Sequence, residues 1–160
     1  MTGQAQQYKD SIRFNQVIYF GILIGLLIFA GIGLGVRSVL SDPLDKPTIQ
    51  ILNYIALFSL LVFIPSGFWL HTQRMKKIPA DTELIVKLYH FRTSFIIKLA
   101  LFEACGFLGT IVMMLGGEIQ VLLQLGIVLV VFLLNYPSIY KYKTELGLKE
   151  EDIEKLKSDR

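Results

Sequence analysis

Residues 95–115 read Phe-Ile-Ile-Lys-Leu-Ala-Leu-Phe-Glu-Ala-Cys-Gly-Phe-Leu-Gly-Thr-Ile-Val-Met-Met-Leu, an apolar run interrupted by two charges, Lys98 and Glu103. About 20 helical residues rising 1.5 Å each cross a hydrocarbon core of ~30 Å, so this run is long enough to span a bilayer. A carboxyl group placed there costs ~2.5–3.5 kcal/mol on insertion scales. Whatever offsets that cost has to come from elsewhere in the chain or from a partner.

Working outward, three more runs of the same kind appear. Phe14 to Val36 has no charge from Val17 onward, Thr48 to His71 contains Pro65, and Ile119 to Tyr136 follows the third run after Gly116-Gly117-Glu118. So short a connection requires a tight turn, which makes the third and fourth spans an antiparallel hairpin. Pro47 is expected to open the second span, because proline suits a first helical position. Pro65 removes the donor to the Leu61 carbonyl and predicts a kink. Leu84, Leu88, Phe91 and Phe95 at three- and four-residue spacing predict that the third helix begins near Asp81, well before its apolar run.

The fold class predicted is all-α: a four-span membrane bundle (spans 14–36, 48–71, 95–115 and 119–136) with a helical extension of the third span. Residues 1–137 form the membrane domain. Residues 138–160 form a tail whose final part, Leu148 to Lys157, reads as a short amphipathic helix. The first run is too long for the core of a signal peptide and lacks an obvious cleavage site, so it reads as a retained span. Composition agrees with a membrane protein: 53% of 160 residues are hydrophobic and 18% charged, with a mean hydropathy of +0.55. The net charge of +3 does not point to nucleic acid, because the basic residues sit between apolar runs. Lys9, Arg13, Arg74, Lys76, Lys77, Lys87, Arg92 and the basic tail fall on one side, with Arg37 and Lys46 on the other. The excess of positive charge on the inner side predicts both termini in the cytoplasm.

Glu103 is the sharpest site residue. At ~12 Å below the edge of its span it falls level with Leu61, Pro65 and Ser66 on the second span and with Gly21 and Gly25 on the first. The predicted intramembrane polar site is therefore Glu103, Lys98, Pro65 and Ser66. In it a neutral Glu103 donates a hydrogen bond near Leu61 or Ser66 as a structural clamp. The alternatives are a Glu103 that exchanges a proton or binds a cation, and a Glu103 that faces a partner subunit. Lys98 is near enough to the edge to snorkel, and a five-residue offset pairs it poorly with Glu103. Gly21 with Gly25 and Gly31 with Gly35 predict close helix packing, internal or between subunits. Arg74, Lys76 and Lys77 are placed to face anionic lipid.

Other chemistries find little footing. Cys105 is the only cysteine and reads as an inert buried thiol. His71 and His90 lack the further ligands a metal needs. The glycines of 31–35 lie in a membrane helix, not in a phosphate loop after a strand. No cofactor and no metal are predicted. The partners expected are the lipid bilayer and another membrane protein or a second copy of the chain.

Phe91-Arg92-Thr93-Ser94-Phe95-Ile96-Ile97-Lys98-Leu99-Ala100-Leu101-Phe102-Glu103 resembles the third span of a family of small four-span proteins of Bacteroidetes-type bacteria. Asn135-Tyr136-Pro137-Ser138 and Leu146-Gly147-Leu148 resemble that family's end of span four and tail. Ala104-Cys105 stands where the family has Gly-Pro. The resemblance implies four spans in a bacterial inner membrane and carries no activity with it. Together these readings predict a non-enzymatic accessory or scaffold subunit. The alternative is a small proton- or ion-coupled transport component using Glu103.

Overall fold

A computed structural model describes residues 2–39, 44–79, 81–117 and 119–148. Five helices follow one another: α1 (Thr2–Val39), α2 (Lys46–Lys76), α3 (Leu84–Met114), α4 (Ile119–Leu134) and α5 (Ile139–Leu146). Their boundaries follow from local chemistry. The Asp45 side chain accepts a hydrogen bond from the Thr48 backbone N–H at 3.3 Å, with Pro47 in the first turn of α2. Gly116 takes φ 98°, and the N–H of Gly117 reaches the carbonyl of Val112 at 2.9 Å, closing α3 and reversing the chain. Gly109 packs on Gln124, Gly106 on Val128 and Phe102 on Phe132, so α3 and α4 run antiparallel in register. α2 continues through Pro65 as a single helix.

α3 is the central element and packs on α1, α2 and α4. Half of its most apolar window is buried, against 22% for α1 and for α2. Leu84, Leu88, Phe91, Phe95, Leu99, Phe102 and Cys105 form its buried face, which continues the spacing seen in the sequence. The outward faces of α1 and α2 are rich in exposed Ile, Leu, Phe and Val, a surface suited to lipid.

α1, α2 and α3 are each long and apolar enough to cross a membrane. α4 alone has 16 residues, and it reaches the same standard only when joined to α5 across a bend of 83°. Among the described residues there are thus three to four helices of spanning character.

Two expectations change here. The tail does not stand apart at residue 138, because Tyr142 and Leu148 lie in the same buried core as Phe91 and Phe102. The helix in it is Ile139–Leu146, capped by the Ser138 hydroxyl and by a left-handed Gly147. The amphipathic stretch placed at 148–157 lies almost wholly outside the described residues. The small-residue contact also moves. A Cβ on Gly21, Gly31 or Gly35 would meet nothing within 4 Å, whereas one on Gly33 would lie 2.5 Å from Thr110 Cγ2. Within the chain the close approach of α1 to α3 is therefore at Gly33, because that glycine lies on the face turned to α3. Gly33→Ala is expected to lower stability by ~1–3 kcal/mol through overpacking. Gly31→Ala and Gly35→Ala are expected to leave it unchanged. Thermal unfolding in mild detergent checks this, and equal losses at all three positions would point away from the Thr110 contact.

Candidate functional site

The charged chemistry gathers at the end of the bundle where α5 folds back. Five residues turn a helix ~140° beyond a full circle, so Lys98 and Glu103 leave α3 in different directions. Lys98 faces α2: a Cβ on Gly67 would sit 3.5 Å from its Cγ. The absence of a side chain at Gly67 is what lets α2 approach α3 so closely here. Lys98 does not snorkel. It is 0% exposed, with its ammonium 5.3 Å from the Phe95 ring centre and 5.6 Å from that of Phe68.

Its counter-charge is Glu145 on α5. Lys98 Nζ lies 3.7 Å from Glu145 Oε1, and Lys141 Nζ lies 3.9 Å from the same oxygen. The Lys98 ammonium makes no hydrogen bond, so its pairing is ionic at a slight remove. The other carboxylate oxygen lies 2.7 Å from His71 Nε2, and His71 Nδ1 lies 2.8 Å from Ser94 Oγ. A carboxylate only accepts, so Nε2 carries a proton and donates to Glu145. Lys141 Nζ also donates to Asn135 Oδ1 at 2.7 Å. One carboxylate from α5 therefore joins α2 through His71 and α3 through Lys98.

Burial by itself would raise the Glu145 carboxyl. The His71 hydrogen bond and the charges of Lys98, His71 and Lys141 outweigh it and hold Glu145 below its ordinary value of 4.5. Burial pushes the Lys141 ammonium down, with Glu145 opposing, and burial pushes the Tyr142 phenol up to about 12. The sign for Glu145 follows from linkage. A carboxyl lowered in the fold contributes stability that is present above pH 4.5 and is lost as pH falls through its folded value. Protection of the α5 amides from hydrogen exchange is thus expected to hold from pH 7 down to pH 5 and to fall below pH ~4.5, before α3 loses protection.

A second polar cluster lies beside the first. Asn15 Nδ2 donates to Tyr142 Oη at 2.7 Å, and Arg92 donates from Nε to Asn15 Oδ1 at 3.1 Å and from Nη2 to Ser11 Oγ at 2.9 Å. The Tyr142 ring packs tilted against Phe91, with ring centres 4.5 Å apart. A third cluster is deeper. Gln124 Nε2 donates to the Cys105 carbonyl at 3.0 Å and to Ser59 Oγ at 3.3 Å, and Cys105 Sγ lies 3.3 Å from Ser59 Oγ. Phe102, one helical turn from Lys98 on α3, is buried and packs edge-on against the buried ring of Phe132.

Glu103 joins none of these. It points toward α1, with Oε1 3.8 Å from where a Cβ on Gly25 would be, and it is partly buried. The predicted hydrogen bond to Leu61 or Ser66 is not formed, since α2 packs on the Lys98 face of α3 and Leu61 is 74% exposed on the outside of α2. Pro65 and Ser66 therefore belong to no common site with Glu103. Arg74, Lys76 and Lys77 are exposed at the end of α2, where Lys76 lines a cleft of about 330 Å³ with His71, Thr72, Thr144 and Glu145. Among the described residues no group of three or more His, Cys, Asp or Glu is placed to hold a metal.

Sequence reasoning missed Glu145, His71, Ser94, Arg92 and Asn15 as site residues. The signals that were present are the helix start at Ser138 and stop at Gly147, which place Tyr142 and Glu145 one turn apart on α5. Scans against family models, curated proteins and solved structures each return no match, so the reading of this chain rests on its own residues and geometry.

Proposed function

We propose that this chain is a non-enzymatic multi-pass protein of a bacterial inner membrane. Its termini and the α2–α3 connection lie in the cytoplasm, and it serves as an accessory or scaffold subunit docked to another membrane chain or to its own copy. The observation that carries the reading is Glu103, a partly exposed carboxyl on a spanning helix with no hydrogen bond or ion pair among the described residues of its own chain. Gly25 beside it and exposed Gly21 one turn away leave room for a second backbone. A polar group brought by that helix would offset the cost of the carboxyl.

The fully buried Phe102 and Phe132, packed on each other in the apolar core that α3 builds, favour this reading over a proton- or ion-conducting path through a single chain. Glu103→Leu separates the possibilities. The fold is expected to melt as the wild type does, because no internal bond is lost. The particle isolated in mild detergent is expected to fall from a multi-chain mass to that of one chain. A wild-type particle that is already a single chain with no co-purifying protein would overturn the proposal. Unchanged assembly with lost proton or cation flux in vesicles would favour the transport reading.

A further inference from the structure

The cytoplasmic-type ends of α1 and α3, where both helices leave their apolar runs, enclose a cleft of about 370 Å³ lined by Gln7, Asp10, Ser11, Phe14, Ile85, Tyr89 and Arg92. Arg92 is half-buried there and held on three sides. Nη2 donates to Ser11 Oγ at 2.9 Å, Nε donates to Asn15 Oδ1 at 3.1 Å, and the guanidinium carbon lies 4.4 Å above the Phe14 ring. Its rotamer is fixed by these contacts, and its remaining N–H groups have no partner among the described residues. No carboxylate lies within ion-pair distance of it among those residues. Asp10 lines the same cleft but is exposed, and its Oδ1 accepts from Gln6 at 3.1 Å.

A guanidinium taken partly out of water and locked in place, yet left without an anion, is the arrangement that receives a phosphate oxygen pair. The Ser11 and Tyr89 hydroxyls and the Gln7 amide add neutral donors around it. Phe14, where the first span begins, supplies an apolar wall suited to the upper part of an acyl chain. We propose that this cleft is a phosphate-binding site built on Arg92, which takes the phosphate of an anionic lipid headgroup or of a soluble phosphate ester. It is separate from the exposed Arg74, Lys76 and Lys77, which belong to the C-terminal end of α2 and line no part of it.

The test uses the full chain in a neutral detergent, with short-chain phosphatidylglycerol, inorganic phosphate and short-chain diacylglycerol as probes. Saturable binding of phosphatidylglycerol but not of diacylglycerol is expected. Competition by inorganic phosphate at equal concentration would assign the site to a soluble phosphate, and lack of competition would assign it to a lipid. Arg92→Gln is expected to weaken binding at least about tenfold. Gln7→Glu guards against a folding artefact, since it leaves the Ser11 and Asn15 bonds untouched. It is expected to weaken binding by repulsion, and Asp10→Asn is expected to strengthen it. The proposal is overturned if neither phosphate probe binds, if diacylglycerol binds as well as phosphatidylglycerol, or if Gln7→Glu and Arg92→Gln both bind as the wild type does.

Discussion

Replacing Glu145 by alanine is expected to cost about 3 kcal/mol of fold stability, the lower end of the range for removing one partner of a buried ion pair. The lower end applies because Glu145 keeps 24% of its side chain exposed, whereas Lys98 keeps none. The loss is dominated by what is left behind. Lys98 already makes no hydrogen bond, and without Glu145 its ammonium has no counter-charge in a setting that water does not reach. Lys98→Met is expected to cost much less, because Glu145 retains His71 and Lys141. The double variant Lys98→Met with Glu145→Gln should recover most of what Glu145→Ala loses, since removing both partners leaves no orphaned charge. Thermal unfolding of the three proteins in one detergent measures all of this. Equal melting of Glu145→Ala and wild type would mean that Lys98 is solvated by some other route.

Tyr142→Ala is expected to have a comparable effect, about 3–5 kcal/mol, the usual range for truncating a fully buried aromatic side chain. Tyr142 is 0% exposed, packs tilted against Phe91 and accepts the Asn15 hydrogen bond. Tyr142→Phe keeps the ring and loses only the hydroxyl, so ~1 kcal/mol is expected. The alanine variant should also expose residues 138–148 to a soluble protease while α1 to α4 stay resistant. Tyr142 and Glu145 share one short helix, so their losses should not add: once α5 is detached, removing the second anchor has little left to break. Strict additivity would show that the two side chains hold separate structures.

The spanning helices were legible in the sequence because their signal is local. A long uncharged run, Pro47 in the first turn of α2 and the Gly116-Gly117 turn each act within a few residues, and all three appear where expected. The buried stripe Leu84, Leu88, Phe91 and Phe95 was legible for the same reason, since a helical period shows which residues share a face. The polar site was misread because depth along a helix is only one of its two coordinates. Glu103, Pro65 and Ser66 share a level, yet α3 turns Lys98 to α2 and Glu103 to α1, and equal depth does not bring side chains together.

By itself, then, the sequence determined where the long apolar helices lie, that α3 begins well before its apolar run, where the chain reverses after α3 and which face of α3 is buried. Only the tertiary structure decided that the chain bends by 83° between α4 and α5 and packs α5 back against the bundle. That return brings Glu145 against Lys98 and His71 across large separations in the chain. The physical reason is that a buried ammonium selects its counter-ion by the geometry of packed helices, and nothing in the residues next to Lys98 encodes which distant carboxylate will arrive.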